Sequence, residues 1–219
     1  KKSIDNAIKV LLSISGSTNA IIHLSAIAGR LGLKLDLNEL NLFSDQTPVL
    51  VNLKPVGSGY MEDFFLAGGL DVIFKQLQDN LNLECINIEG KKLSERIKST
   101  AIGYTNNQII YSKDNPVSKS GGLIALHGTL APEGAILKRA AASKNLLEHT
   151  GKAVVFSSLE DLAKKIDDPD LNVNENDILV LQNAGPSSVS GMPESGYLPI
   201  PKKLAEKGVK DIIRISDAR

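Results

Sequence analysis

Ile178-Leu179-Val180-Leu181, running into Gln182-Asn183-Ala184-Gly185-Pro186, is a short apolar run closed by a turn of Asn, Gly and Pro. A run of this length between turn formers reads as a buried strand. Working outward, similar β-rich runs stand at 108–111, 123–126, 135–137, 153–156 and 212–215. Gly, Pro, Asn and Asp separate them. Apolar spacing predicts helices at 159–166 and 201–207. Many short strands with a few helices predict a barrel-like β domain with helices over residues 107–219.

The first half, residues 1–106, has a different character. Ala7, Ile8, Leu11 and Leu12 recur at helical spacing over 4–14. A second helix is expected from Ser17-Thr18-Asn19, whose short polar side chains can cap it, to near Gly32. Further helices are expected at 37–43, 61–66, 70–77 and 93–99, with Gly68-Gly69 splitting two of them. Pro48 and Pro55 bracket an extended stretch, Val49-Leu50-Val51.

Composition narrows the function. Lys+Arg and Asp+Glu both number 25, so there is no net basic field to hold a phosphate backbone, and nucleic acid is not an expected partner. Apolar stretches such as Ala20-Ile21-Ile22 are too short to span a bilayer. The single cysteine, Cys85, excludes an internal disulfide and makes a cytoplasmic setting the expectation. It reads as a small buried apolar residue. One thiol cannot build a zinc or iron–sulfur site by itself. Aromatic residues make up 4% and Trp is absent, so the core must come from Leu, Ile, Val and Ala. The chain opens on Lys1 and stops in a polar turn at Arg219, and both ends read as those of a piece of a longer polypeptide.

Several short patterns carry chemistry, each beside a plainer reading. Gly16-Ser17-Thr18-Asn19-Ala20 opens a helix, where free N–H groups suit a carboxylate or phosphate; an ordinary N-cap looks the same. Glu62 and Asp63 follow Tyr60-Met61, where acidic residues also favour a helix dipole. His127 lies in the glycine-rich stretch between Gly121-Gly122-Leu123 and Pro132-Glu133-Gly134; a lone strand His is more often structural. His23 is expected to pack on its helix and His149 to be exposed. Asp167-Asp168-Pro169-Asp170 reads as a solvated turn. Gly191-Met192-Pro193-Glu194 differs in kind. One carboxylate is presented between glycine turns, as loops serving a hard cation such as Mg²⁺ do.

Taken together, the segments resemble the dihydroxy-acid and sugar-acid dehydratase family. The matching runs are Gly16 to Ala20, Met61-Glu62-Asp63, Asp114-Asn115-Pro116, Gly121-Gly122-Leu123, Leu130 to Ala135, Asp168-Pro169-Asp170-Leu171, Asn183-Ala184-Gly185-Pro186, Gly191-Met192-Pro193-Glu194 and Ser216-Asp217-Ala218-Arg219. They come in the family's order.

The resemblance implies an N-terminal α/β domain with a parallel sheet, followed by a C-terminal β-barrel domain, with this chain holding part of each. It implies a hydro-lyase that dehydrates a 2,3-dihydroxy acid to a 2-keto-3-deoxy acid. An iron–sulfur cluster, 2Fe-2S or 4Fe-4S, and Mg²⁺ are the implied cofactors, and a serine is the implied base at C2. The family's cluster cysteines lie upstream of Lys1 and its serine just after the equivalent of Arg219. Catalytic residues and cluster ligands are therefore expected outside this chain, which should be inactive alone. Glu194 aligns with the family's metal-ligand glutamate, and Ser17, Thr18 and His127 lie in loops bordering the substrate. Ser216-Asp217-Ala218-Arg219 stands where branched-chain enzymes carry Thr-Asp-Gly-Arg, which looks like the sugar-acid branch acting on arabinonate or xylonate. The alternatives are a dihydroxy-acid dehydratase of branched-chain amino-acid biosynthesis and a non-catalytic binding module. The family further implies a small hydroxy acid as partner and a homo-oligomer, dimer or tetramer.

Overall fold

The computed structural model describes residues 1–101, 105–186, 188 and 197–218. By its contacts the chain divides into two compact units, Lys1–Ala141 and Ala142–Arg219.

The first unit is mainly helical. Its elements are α1 (Lys2–Ser13), α2 (Asn19–Arg30), α3 (Leu37–Gln46), α4 (Met61–Leu66), α5 (Gly69–Gln76), α6 (Leu93–Ser99) and the antiparallel pair β1 (Ile124–Leu126) and β2 (Ala135–Leu137). Helix α1 serves two apolar clusters. Ile8, Leu11 and Leu12 join Ile21, Leu40, Leu123 and Ala125. Val10, with Ile14 just past the helix end, packs against the other cluster, built on Leu50, Phe64, Ile73, Leu77 and Ile110. Asp36 caps α3, accepting from Asn38 N at 2.8 Å. By their contacts, residues 107–141 pack within this first unit. Tyr111 N donates to Leu50 O, Gly121 N to Ser44 O, and Ala125 pairs with the Asn41 amide in both directions.

The second unit is a three-stranded parallel sheet ordered β3-β4-β5: β3 (Ala153–Phe156), β4 (Ile178–Leu181) and β5 (Arg214–Ser216). Parallel neighbours need crossovers, and α7 (Leu159–Lys165) and α8 (Lys202–Ala205) lie in them. Leu179 and Leu181 are buried with Phe156, together with Leu162 and Ile166 from the first crossover and Leu204 and Ile212 from the second. Burial alternates along β4, as a strand period of two requires.

The α/β class stands, and two details differ from the expectation. The parallel sheet lies in the second unit, while the described part of residues 1–106 holds helices and isolated bridges only. No barrel closes among the described residues. Helices between successive strands produce parallel pairing, whereas a barrel of hairpins needs strands to follow one another directly. The run at 108–111 is a turn, with Ile110 in a single bridge to Val51. Asn106 captures the backbone there: its side chain accepts from Gln108 N and its carbonyl from Ile109 N and Ile110 N.

Candidate functional site

In the second unit the three strands end level with one another, Phe156 opposite Leu181 and Leu181 opposite Ser216. Their carboxyl ends therefore share one edge, the place where open parallel sheets gather ligands. The turn after β4 is fastened to both neighbours. Asn183 takes the left-handed conformation at φ 56° and its Nδ2 donates to Ser157 O at 2.9 Å, just past β3. Ala184 N donates to Asp217 Oδ1 at 3.0 Å, just past β5. At Gly185 a Cβ would fall 2.3 Å from the Asp217 carbonyl oxygen, so this backbone approach admits no side chain.

Beside this turn, Ser158 caps α7 by accepting from Asp161 N. Asp161 accepts from Ser157 N at 3.0 Å and pairs with Lys165 at 2.6 Å. The Lys165 contact first, then the Ser157 N–H, holds the Asp161 carboxyl below its ordinary range. The sequence picks out residues 183–186 and 216–219 separately, and the structure brings Ala184 and Gly185 against Asp217. Asp217 as the link between them was missed, since nothing in a strand-end Asp announces which backbone it will meet. Glu194 and Arg219 lie outside the described residues.

In the first unit, Ser17 and Thr18 stand at the start of α2. Ser17 is exposed and Thr18 half-buried. Thr18 makes no side-chain cap bond; Ser17 Oγ accepts from Asn19 N at 3.2 Å instead. The preceding loop is wedged against a glycine turn, where a Cβ on Gly122 would lie 2.8 Å from Ser15 Cα. Arg139 pins that turn through Gly121 O and Ser44 Oγ, both at 3.0 Å. Ser15 Oγ and Asn19 Oδ1 are buried without a hydrogen-bond partner. His127 is exposed just beyond β1, its ring against Gly134. Among the described residues no hydrogen bond joins His127 to Ser17 or Thr18.

The remaining candidates resolve into local structure. Asp63 accepts from Tyr60 N at 2.8 Å and caps α4. Asp168 closes a turn on Asp170 N, and Asp167 accepts from Lys202 N. Two histidines reverse the expectation. His23 is exposed, because its place on α2 faces away from the buried Ile21 and Ala28. His149 is half-buried and its Nε2 donates to Asn176 O at 2.7 Å. Cys85 is half-buried and free rather than fully buried.

The donor set bears on the expected metals. No group of three or more His, Cys, Asp or Glu side chains could hold a metal ion among the described residues. A lone half-buried thiol is not a cluster ligand set. The described residues therefore do not fit an iron–sulfur cluster or a complete Mg²⁺ site. No helix among them is long and apolar enough to cross a membrane.

Comparison with known proteins covers the whole chain. Residues 1–96 match the family model for the dihydroxy-acid/6-phosphogluconate dehydratase N-terminal part, and residues 108–219 match that for the C-terminal part. An L-arabinonate dehydratase of Rhizobium leguminosarum is 42% identical, over 100% of this chain and 38% of its own length. A 6-deoxy-6-sulfo-D-gluconate dehydratase of Pseudomonas putida is 44% identical with the same coverage. A dihydroxy-acid dehydratase of Caldicellulosiruptor bescii is 36% identical, over 100% of this chain and 39% of its length. The chain thus spans well under half the length of these relatives.

Proposed function

This chain belongs to the dihydroxy-acid/6-phosphogluconate dehydratase family, and from that premise we propose that it is part of a hydro-lyase acting on a sugar acid. The reaction removes water from a 2,3-dihydroxy acid and leaves a 2-keto-3-deoxy acid. The observation that carries the substrate class is the gradient of identity: 42% and 44% to dehydratases named for sugar acids, against 36% to one named for dihydroxy acids. Ser216-Asp217-Ala218-Arg219 agrees with it. A sugar acid also carries hydroxyls that need polar partners, which a branched-chain acid does not. Ser17, Thr18 and His127 are the groups proposed to supply them.

Glu194 is proposed as this chain's contribution to a Mg²⁺ site. A cation held there would supply Lewis-acid stabilisation of charge developing beside the substrate carboxylate. The cluster cysteines and the serine base are proposed to come from polypeptide outside this chain, in a cytoplasmic homo-oligomer.

The test uses the longer protein that contains this chain. It is assayed for keto-acid formation from L-arabinonate, xylonate and a branched-chain 2,3-dihydroxy acid. The expected result is a kcat/KM at least about ten-fold higher on a pentonate, worth about 1.4 kcal/mol of discrimination, with Glu194→Ala inactive. Preference for the branched-chain acid would move the chain to the other branch. Binding without turnover of any of the three would make it a binding module.

A further inference from the structure

Ala184 is fully buried, and its N–H needs an acceptor wherever the chain places it. That acceptor is Asp217 Oδ1, at 3.0 Å. Asp217 is itself exposed, so nothing in core packing calls for a carboxylate there. Gly185 lies against the Asp217 backbone, and Asn183 is tied to Ser157 on the far side. The turn after β4 is thereby located against both flanking strand ends by three successive residues. Ser216 Oγ accepts from Ala218 N at 3.0 Å and shapes the turn that presents Asp217.

We propose that Asp217 is a positioning residue of the hydro-lyase site: its carboxylate sets the spacing between the turn after β4, from which the chain continues toward Glu194, and the turn after β5. The proposal rests on the hydro-lyase reading. Reacting groups carried by separate loops must be held to a fraction of an ångström, and a misplacement of about 1 Å costs on the order of a hundred-fold in rate.

The test compares Asp217→Ala and Asp217→Asn in the longer protein. Asn keeps an acceptor oxygen for Ala184 N and loses only the charge. The expected result is a fall in kcat of about a hundred-fold for the Ala variant with KM unchanged, and recovery of most of it by Asn. Amide hydrogen exchange at Ala184 should accelerate in the Ala variant alone, confined to residues 183–186. An Ala variant with wild-type kcat overturns the proposal. So does equal loss in both variants, which would make the carboxylate act directly on substrate or cation. Exchange that accelerates across the whole sheet would reduce Asp217 to a stabilising contact. Should the unmodified protein turn over no hydroxy acid, the hydro-lyase reading falls, while unchanged Ala184 exchange in Asp217→Ala would still overturn the positioning role separately.

Discussion

A methyl group added at Gly185 would meet the Asp217 carbonyl oxygen at 2.3 Å, and one added at Gly16 would meet Leu11 Cδ1 at the same distance. The two numbers have different consequences. A carbonyl in a turn cannot retreat without moving the turn, whereas Cδ1 is the free end of a side chain with other rotamers. Gly185→Ala should therefore cost about 1–3 kcal/mol, in the range of forced overpacking, and Gly16→Ala less. Chemical denaturation of both variants, with unchanged slopes, would measure the difference. Equal losses would mean that the turn after β4 yields more readily than its hydrogen bonds imply.

At the scale of elements, α7 shows how a short helix is held at the carboxyl edge of the sheet. Its N-terminus has Ser158 as cap, and Asp161 in its first turn reaches back to Ser157 N and forward to Lys165. The Asp161 carboxyl is depressed below its ordinary value of 3.8. A carboxyl depressed in the folded state binds fewer protons there than in the unfolded chain. Its stabilising contribution is thus fully present above the unfolded value and is lost as pH falls through the lower, folded one. Asp161→Asn should lower the melting temperature at pH 7, and the gap from wild type should narrow as pH falls toward 3.8 and close only below the lower, folded value. Solvent screening keeps the effect small. A gap that persists in acid would mean that the hydrogen bonds at Ser157, and not the charge, carry the effect.

At the scale of the whole molecule, each unit has its own core. Among the described residues, the cluster of Phe156, Leu162, Leu179, Leu181 and Ile212 has its members in the second unit. The described members of the clusters around Leu12 and Ile73 lie in the first. Leu179 is fully buried on the central strand, and Leu179→Ala should destabilise the second unit by about 2–5 kcal/mol. Hydrogen exchange should then speed up within 153–218 and hold its wild-type rates on α1 and α5. Faster exchange on α1 would show that the two units unfold together.

Helix and strand positions were legible where apolar period and turn residues agreed. Strands at Ala135–Leu137, Ala153–Phe156 and Ile178–Leu181, and helices at Met61–Leu66 and Leu93–Ser99, stand where the local pattern places them. Such elements are dictated by neighbours a few residues away. The strand expected at 108–111 failed because the Asn106 side chain offered the backbone a nearer partner than any strand did. The family, and with it the order of motifs, was written in the sequence. Pairing was not: a short apolar run accepts a parallel or antiparallel neighbour equally, and only the crossovers through α7 and α8 make β3, β4 and β5 parallel. Likewise Ala184 and Asp217, 33 positions apart in sequence, meet only when register brings Leu181 level with Ser216. What the sequence determined by itself is composition, local elements and kinship, because these depend on short-range chemistry. What tertiary structure alone decided is which strand ends meet and which carboxylate holds them, because hydrogen bonds between distant residues exist only once the sheet has set its register.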